Sequence, residues 1–152
     1  MDLVSSINSL VCLTSKTDGL VSILWNPATK HCVNIPTPNL KFLPNQDGSS
    51  IGFCFDSLRN DYKIVNVLWF HEDMEPRPRV ELYSLSADCW REIEIEGVVP
   101  FEFLSSSGDT IVKGEQNWSA YFHGHPFVNV VWFDVGKEVF REGRPKRAQP
   151  GC

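Results

Sequence analysis

Three stretches of this sequence share one plan, and few folds accommodate it. They are Leu24-Trp25-Asn26-Pro27-Ala28-Thr29-Lys30-His31-Cys32, Leu82-Tyr83-Ser84-Leu85-Ser86-Ala87-Asp88-Cys89-Trp90 and Trp132-Phe133-Asp134-Val135-Gly136-Lys137-Glu138-Val139-Phe140. Each opens on an apolar–aromatic pair, continues with a small polar residue, and turns. Seven positions after the aromatic stands Cys32, Trp90 or Phe140. The aromatics at 25, 83 and 133 are 58 and 50 residues apart. Each copy reads as a β-hairpin whose first arm is rich in β-branched and aromatic residues: Val21–Trp25, Arg79–Tyr83 and Val128–Phe133. Asn26, Ser84 and Asp134 can accept a backbone N–H two residues on and so start the turn. Pro27 fixes φ in the first copy, and Gly136 is expected to supply a positive φ in the third. A recurrence near 50 residues is close to the length of a four-stranded propeller blade.

The segments between the hairpins also read as strands. Leu10-Val11-Cys12-Leu13 is a short apolar run, and Gly52-Phe53-Cys54-Phe55 leads into a turn over 56–61. Tyr62–Phe70 alternates and is the best single strand; Ser119–His123 is a weaker one. No segment keeps a 3.6-residue period, and ten Gly and ten Pro spread along the chain argue against long helices. With 42% hydrophobic and 22% charged residues the chain is expected to fold, and 152 residues suffice for one domain. The reading is all-β: antiparallel hairpins forming blade-like units of a partial, kelch-like β-propeller. It assigns residues 1–142 to the β domain and 143–152, with Arg144, Lys146 and Arg147, to a basic, disordered tail that could serve nuclear targeting. Three such units cannot close a ring, so an open arc is expected that self-associates, needs a partner or is poorly stable.

Several function classes are disfavoured. A net charge of −5 would repel a polyanion, so no nucleic-acid partner is expected. No run of about 18 apolar residues is present, so no membrane span is expected. The start, Met1-Asp2-Leu3-Val4-Ser5, carries an acid where a signal peptide carries base. The five cysteines at 12, 32, 54, 89 and 152 form no CxxC pair. A reducing compartment, cytoplasmic or nuclear, is expected, with most thiols serving as inert core residues. Asn117-Trp118-Ser119 spells a glycosylation sequon and is read as chance.

His123-Gly124-His125, with His71 as a third ligand, could suggest a metal, but no acid or Cys stands at useful spacing, so a polar surface turn is preferred and no metal or cofactor is expected. No phosphate loop and no GxSxG elbow occurs, so no enzyme activity is expected. Glu72, Asp73, Glu75, Arg77 and Arg79 form a mixed-charge stretch broken by Pro76 and Pro78, the kind of adaptable loop a rigid β scaffold offers to a protein partner. Residues 36–50 are read as a similar loop. In 98–108, Phe101 and Phe103 are read as loop residues packed under a blade.

With these motifs in view, the sequence resembles the F-box-associated domain of plant F-box proteins. The resemblance rests on "SLVCL" (9–13), "ILWNPATKHCVNIP" (23–36), "IGFCFDSLRNDYKIVNV" (51–67), "VELYSLSADCWREI" (80–93) and, more faintly, "WFDVGKEVFRE" (132–142). Its shade is nearest the S-locus F-box group. Ser9 stands where the family usually has Gly, and Cys32 where an aromatic is common. The resemblance implies a module that holds a protein substrate, a ribonuclease being the S-locus case, for an SCF-type ubiquitin ligase. The helical F-box that binds Skp1 is not in this sequence, so contact with Skp1 is not expected of it. Asp61-Tyr62-Lys63 and Trp25-Asn26-Pro27 are read as scaffold, with Trp25 packed between sheets. The competing expectations are a small β ligand binder or enzyme, which would need a polar pocket, and a truncated fragment without function of its own.

Overall fold

The computed structural model describes residues 2–15, 21–40, 46–70, 78–94, 102–103, 110–112, 115–121 and 127–142. All regular structure among them is β-strand. The first sheet holds β1 (Asp2–Ile7), β2 (Leu10–Ser15), β3 (Val21–Asn26) and β4 (His31–Ile35), in that order. The second holds β5 (Gln46–Asp56), β6 (Asp61–Phe70), β7 (Arg79–Ser84) and β8 (Cys89–Ile93), again in order. In the third, β9 (Glu102–Phe103) and β10 (Thr110–Val112) both pair with the same edge of β11 (Glu115–Tyr121), followed by β12 (Val128–Asp134) and β13 (Val139–Glu142). All described pairings are antiparallel. Each sheet is therefore a four-position meander, a blade, and the innermost position of the third is filled by two short strands in tandem.

The three aromatic-led hairpins are the last hairpin of each blade. Their seven-residue spacing is the cross-strand register: Trp25 faces Cys32, Tyr83 faces Trp90, and Phe133 faces Phe140. Each turn closes with an N–H of its fourth loop residue on the carbonyl of the polar starter: Lys30 on Asn26, Asp88 on Ser84, Glu138 on Asp134, at 2.6–2.7 Å. That fourth residue is left-handed in every copy, with φ of 63°, 54° and 58°. Asn60, at φ 50°, takes the same place in the β5–β6 turn. The positive φ expected at Gly136 lies instead at Glu138, because the i→i+4 closure needs its reversal at the last loop position. Of the starters, Asn26 acts as expected, its Oδ1 accepting the N–H of Ala28 at 3.0 Å; Ser84 and Asp134 instead accept from residues three ahead, Ala87 and Lys137.

Two apolar layers separate the three blades. Val4, Ile7, Cys12, Leu24 and Ile35 of the first meet Ile51, Phe53, Ile64, Tyr83 and Trp90 of the second. Cys54, Val65, Val67, Trp69, Val80, Leu82 and Ile93 of the second meet Trp118, Ala120, Val131, Phe133 and Phe140 of the third. The middle blade is thus covered on both faces. This explains β6, where Ile64–Trp69 are buried without a break rather than alternating.

One node ties all three blades. Gln116 is fully buried, and its Oε1 accepts the Phe53 N–H at 2.9 Å and the Ser5 hydroxyl at 3.3 Å. Beside it, Trp118 donates its indole N–H to Ser50 Oγ at 2.9 Å. Gly52 is what permits this approach: a Cβ there would lie 2.6 Å from the Trp118 ring and 2.7 Å from Gln116 Cγ. The connection after β4 is clasped by the fully buried Glu81, whose carboxylate accepts the N–H groups of Asn39 and Leu40 at 3.0 and 2.9 Å. The Trp90 indole donates to the Pro36 carbonyl at 2.6 Å.

Other expectations need correction. Residues 46–50 belong to β5, not to a loop running from 36 to 50, since they find partners along β6. Asp2–Ile7 form a strand, and Phe103 lies on β9 rather than in a loop. Cys12 and Cys54 are buried, but Cys32 and Cys89 are exposed on the outer strands β4 and β8. Trp25 is not packed between sheets: it lies on the face of the first blade that points away from the second.

Candidate protein-interaction surface

An up-and-down meander sorts its connections to two ends. The tight turns 8–9, 27–30, 57–60, 85–88 and 135–138 fall at one end of the blades. The strand ends at Ser15, Val21, Ile35, Phe70, Arg79, Tyr121 and Val128 fall at the other. Arg79, the last residue of the mixed-charge stretch, stands at this second end. Glu72, Asp73, Glu75 and Arg77 lie outside the described residues. Arg79 is described: it is the first residue of β7 and forms a two-pronged ion pair with Glu92, with both contacts at 2.7 Å. The hydrogen bonds from Arg79 hold the Glu92 carboxyl below the usual range. The charge of Arg79 is therefore matched on its own sheet. His71, His123 and His125 lie outside the described residues, as do Phe101, Cys152 and the tail from 143.

The tight-turn end can be built atom by atom. Asp56 is buried at the mouth of the β5–β6 turn. Its Oδ1 accepts the N–H groups of Leu58 and Arg59, at 3.1 and 3.3 Å, and its Oδ2 meets Arg59 Nη1 at 2.8 Å and Lys63 Nζ at 3.0 Å. Burial alone would raise the Asp56 pKa, but the hydrogen bonds from Arg59 and Lys63 outweigh it and lower it. Asp61 accepts the Ser84 hydroxyl at 2.5 Å and the Ser86 N–H at 2.9 Å, joining the start of β6 to the β7–β8 turn. Tyr83 donates its hydroxyl to Asp88 at 2.7 Å; burial first, then that bond, pushes its pKa up. Asp56, Asp61 and Lys63 are thus engaged in holding turns closed, as scaffold residues should be.

What this end offers to solvent is small and mixed. Leu58 projects from its turn at 84% exposure. Arg59 flanks it, with its side chain 58% exposed. Arg91 reaches across from the middle blade to pair with Glu138 in the turn of the third. Leu58 and Arg91 went unnoticed in the sequence; an apolar residue inside a polar turn is the one signal that could have marked the first.

Burial pushes the Cys12 and Cys54 thiols up to about 12, which keeps them protonated and inert. Asn117 is buried on β11 and donates to the Glu115 carbonyl, so its sequon is not presented at the surface. Among the described residues no three His, Cys, Asp or Glu side chains are placed to hold a metal ion. Among them, too, no helix is long and apolar enough to cross a membrane.

With blades, turn chemistry and the Gly52–Asp56 and Asp61–Lys63 motifs in place, comparison with known proteins decides the family. The F-box associated beta propeller domain matches residues 4–147. The chain belongs to that family. Curated relatives of this F-box associated domain include an F-box protein of Arabidopsis thaliana, 24% identical across 93% of this chain and 38% of its own length. An F-box/kelch-repeat protein of the same plant is 24% identical over 91% of this chain and 37% of its own. The Arabidopsis F-box protein CPR1 is 31% identical over 59% of this chain and 23% of its own. The chain thus spans well under half the length of these relatives. No solved structure matches it.

Proposed function

We propose that this F-box associated domain is a protein-binding module: it holds a substrate protein for an SCF-type ubiquitin ligase, and the ubiquitin chemistry belongs to other subunits. The observation that carries this reading is the family match over residues 4–147, within which the motif residues serve the scaffold. In such a design, specificity resides in what the rigid sheets display. We assign the contact to the blade end where β7 begins, with Arg79 and its partner Glu92 anchoring it and Glu72, Asp73, Glu75 and Arg77, which precede it in sequence, supplying the charge. The binding unit is residues 1–142, and the cytoplasm is where it would meet its target. A ribonuclease target of the S-locus kind is the finer form of this reading and rests on the sequence resemblance alone.

The test joins capture to turnover. The tagged chain is expressed in plant cells, bound proteins are identified, and each candidate is titrated against purified chain. A true substrate binds directly, changes half-life when the chain is overexpressed, and loses about tenfold or more in affinity with Glu72→Lys/Asp73→Lys/Glu75→Lys, since like-charge contacts at an interface cost several kcal/mol. Undiminished binding by that variant would move the contact to another surface. The absence of any direct binder with altered turnover would remove the substrate-holding role.

A further inference from the structure

The three blades have equivalent residues, and equivalence says what each face is for. Trp25, Tyr83 and Phe133 occupy one position, as do Cys32, Trp90 and Phe140. Tyr83 and Phe133 are fully buried against the preceding blade, and Trp25 is 37% exposed. Leu24, Leu82 and Trp132 share another position. The first two are buried against the following blade, and Trp132 is half-buried with Arg141 over its ring, 5.6 Å from the centroid. Each blade therefore has an upstream face and a downstream face, and the two mate twice within the chain.

Among the described residues nothing packs over the outer face at either end of the arc. The upstream face of the first blade carries Leu3, Val11, Leu13, Val21, Ile23 and Trp25 beside Ser6, Ser15, Cys32 and Asn34, with Leu3 61% and Val21 43% exposed. The downstream face of the third carries Tyr121, Val128, Val130 and Trp132 beside Asn117, Ser119 and Arg141. Exposed apolar side chains gathered on a sheet face in this way mark an interaction site.

We infer that a second copy of this chain covers both faces at once, the first blade of each copy stacking on the third blade of the other to close a six-bladed, two-fold ring. A second copy supplies the very pair of faces that already mate inside the chain, and it does so at both ends. Six blades lies within the range of closed propellers, and closure by a two-fold axis limits the assembly to a dimer. The inference is independent of what the module binds.

The same equivalence shows the one mismatch. Arg91, on the downstream face of the middle blade, pairs with Glu138 in the next blade's turn. Arg141 is the counterpart of Arg91 and Lys30 that of Glu138, so ring closure brings Arg141 of one copy toward Lys30 of the other. Asp134, 3.0 Å from Arg141, offsets part of that repulsion. Added salt should therefore tighten the dimer.

The full chain is examined by sedimentation equilibrium and by thiol alkylation mapped to each cysteine. The expected species has twice the 17.3 kDa mass of one chain. In it Cys32, beside Trp25, is protected in proportion to concentration, while Cys89, also exposed in one chain, stays reactive. Trp25→Asp and Trp132→Asp each weaken dimerisation by about a hundredfold or more, since each truncates an aromatic anchor in both contacts. Mixing the two variants partly restores association, because one unaltered contact remains. Lys30→Glu tightens the dimer by about two- to tenfold, reproducing the Arg91–Glu138 pair twice. Circular dichroism confirms that each variant is folded; Val21→Lys replaces any that is not. A monomer at about 100 μM, open-ended polymers, or a dimer indifferent to Trp132→Asp overturns the inference, the last by showing two upstream faces paired.

Discussion

Asp56 is almost wholly out of water, and two cations depend on it. Replacing it with Ala leaves Lys63, itself only 5% exposed, charged and uncompensated. The expected loss is about 3–5 kcal/mol, measured by urea unfolding. The double change Asp56→Asn/Lys63→Met should recover part of it, since it removes the stranded charge as well. The pH dependence follows from the lowered pKa of Asp56. Its folded value lies beneath the unfolded value of about 3.9, so its stabilisation is fully present above about pH 4. It is lost as the pH falls through the folded pKa. The stability gap between the native chain and Asp56→Asn, followed by urea titration from pH 6 downward, should therefore shrink below pH 4. Gly52 gives a purely steric test. Gly52→Ala forces a methyl against Trp118 and Gln116. It should cost about 1–3 kcal/mol and alter the near-ultraviolet circular dichroism of Trp118.

At the scale of strands and turns, the left-handed fourth loop residue makes a prediction of two signs. Lys30, at φ 63°, should yield a higher melting temperature as Gly and a lower one as Val, because a β-branched side chain crowds that conformation most. Each shift corresponds to about 1 kcal/mol. The hairpins were legible in the sequence because turn chemistry is local: Asn26, Ser84 and Asp134 announce the bend, and a seven-residue aromatic spacing is a register. The short β9 and β10 were not, since two or three residues become a strand only when β11 lies beside them. Burial was the least legible. Trp25 and Tyr83 sit in like sequence, yet only one has a blade against it. Cys32 and Cys89 each have one apolar neighbour in sequence, Val33 and Trp90, yet both lie outside the core. Of the candidate site, sequence gave a charge pattern at Glu72–Arg79; that Arg79 is matched by Glu92 depends on the pairing of β7 with β8, which no linear spacing of charges reveals.

For the whole molecule, the middle blade is the keystone, shielded on both faces. Amides of Ile64–Leu68 should exchange with solvent only through global unfolding, whereas those of β4, most of whose side chains are exposed, should exchange by local opening; native-state hydrogen exchange distinguishes the two. Gln116 binds the blades into one cooperative unit. Gln116→Ala strands the buried Phe53 N–H and should cost about 1–3 kcal/mol by urea unfolding. The clasp of Glu81 on Asn39 and Leu40 has an engineering consequence. The path from the first blade to the second is fastened to β7 before it reaches β5, so chain added after Leu40 lengthens only the stretch beyond the fastening. Even doubling that stretch costs only about 0.6 kcal/mol in closure entropy. A reporter peptide spliced there should ride on the folded domain without loosening it, giving a handle on the blade end assigned to substrate.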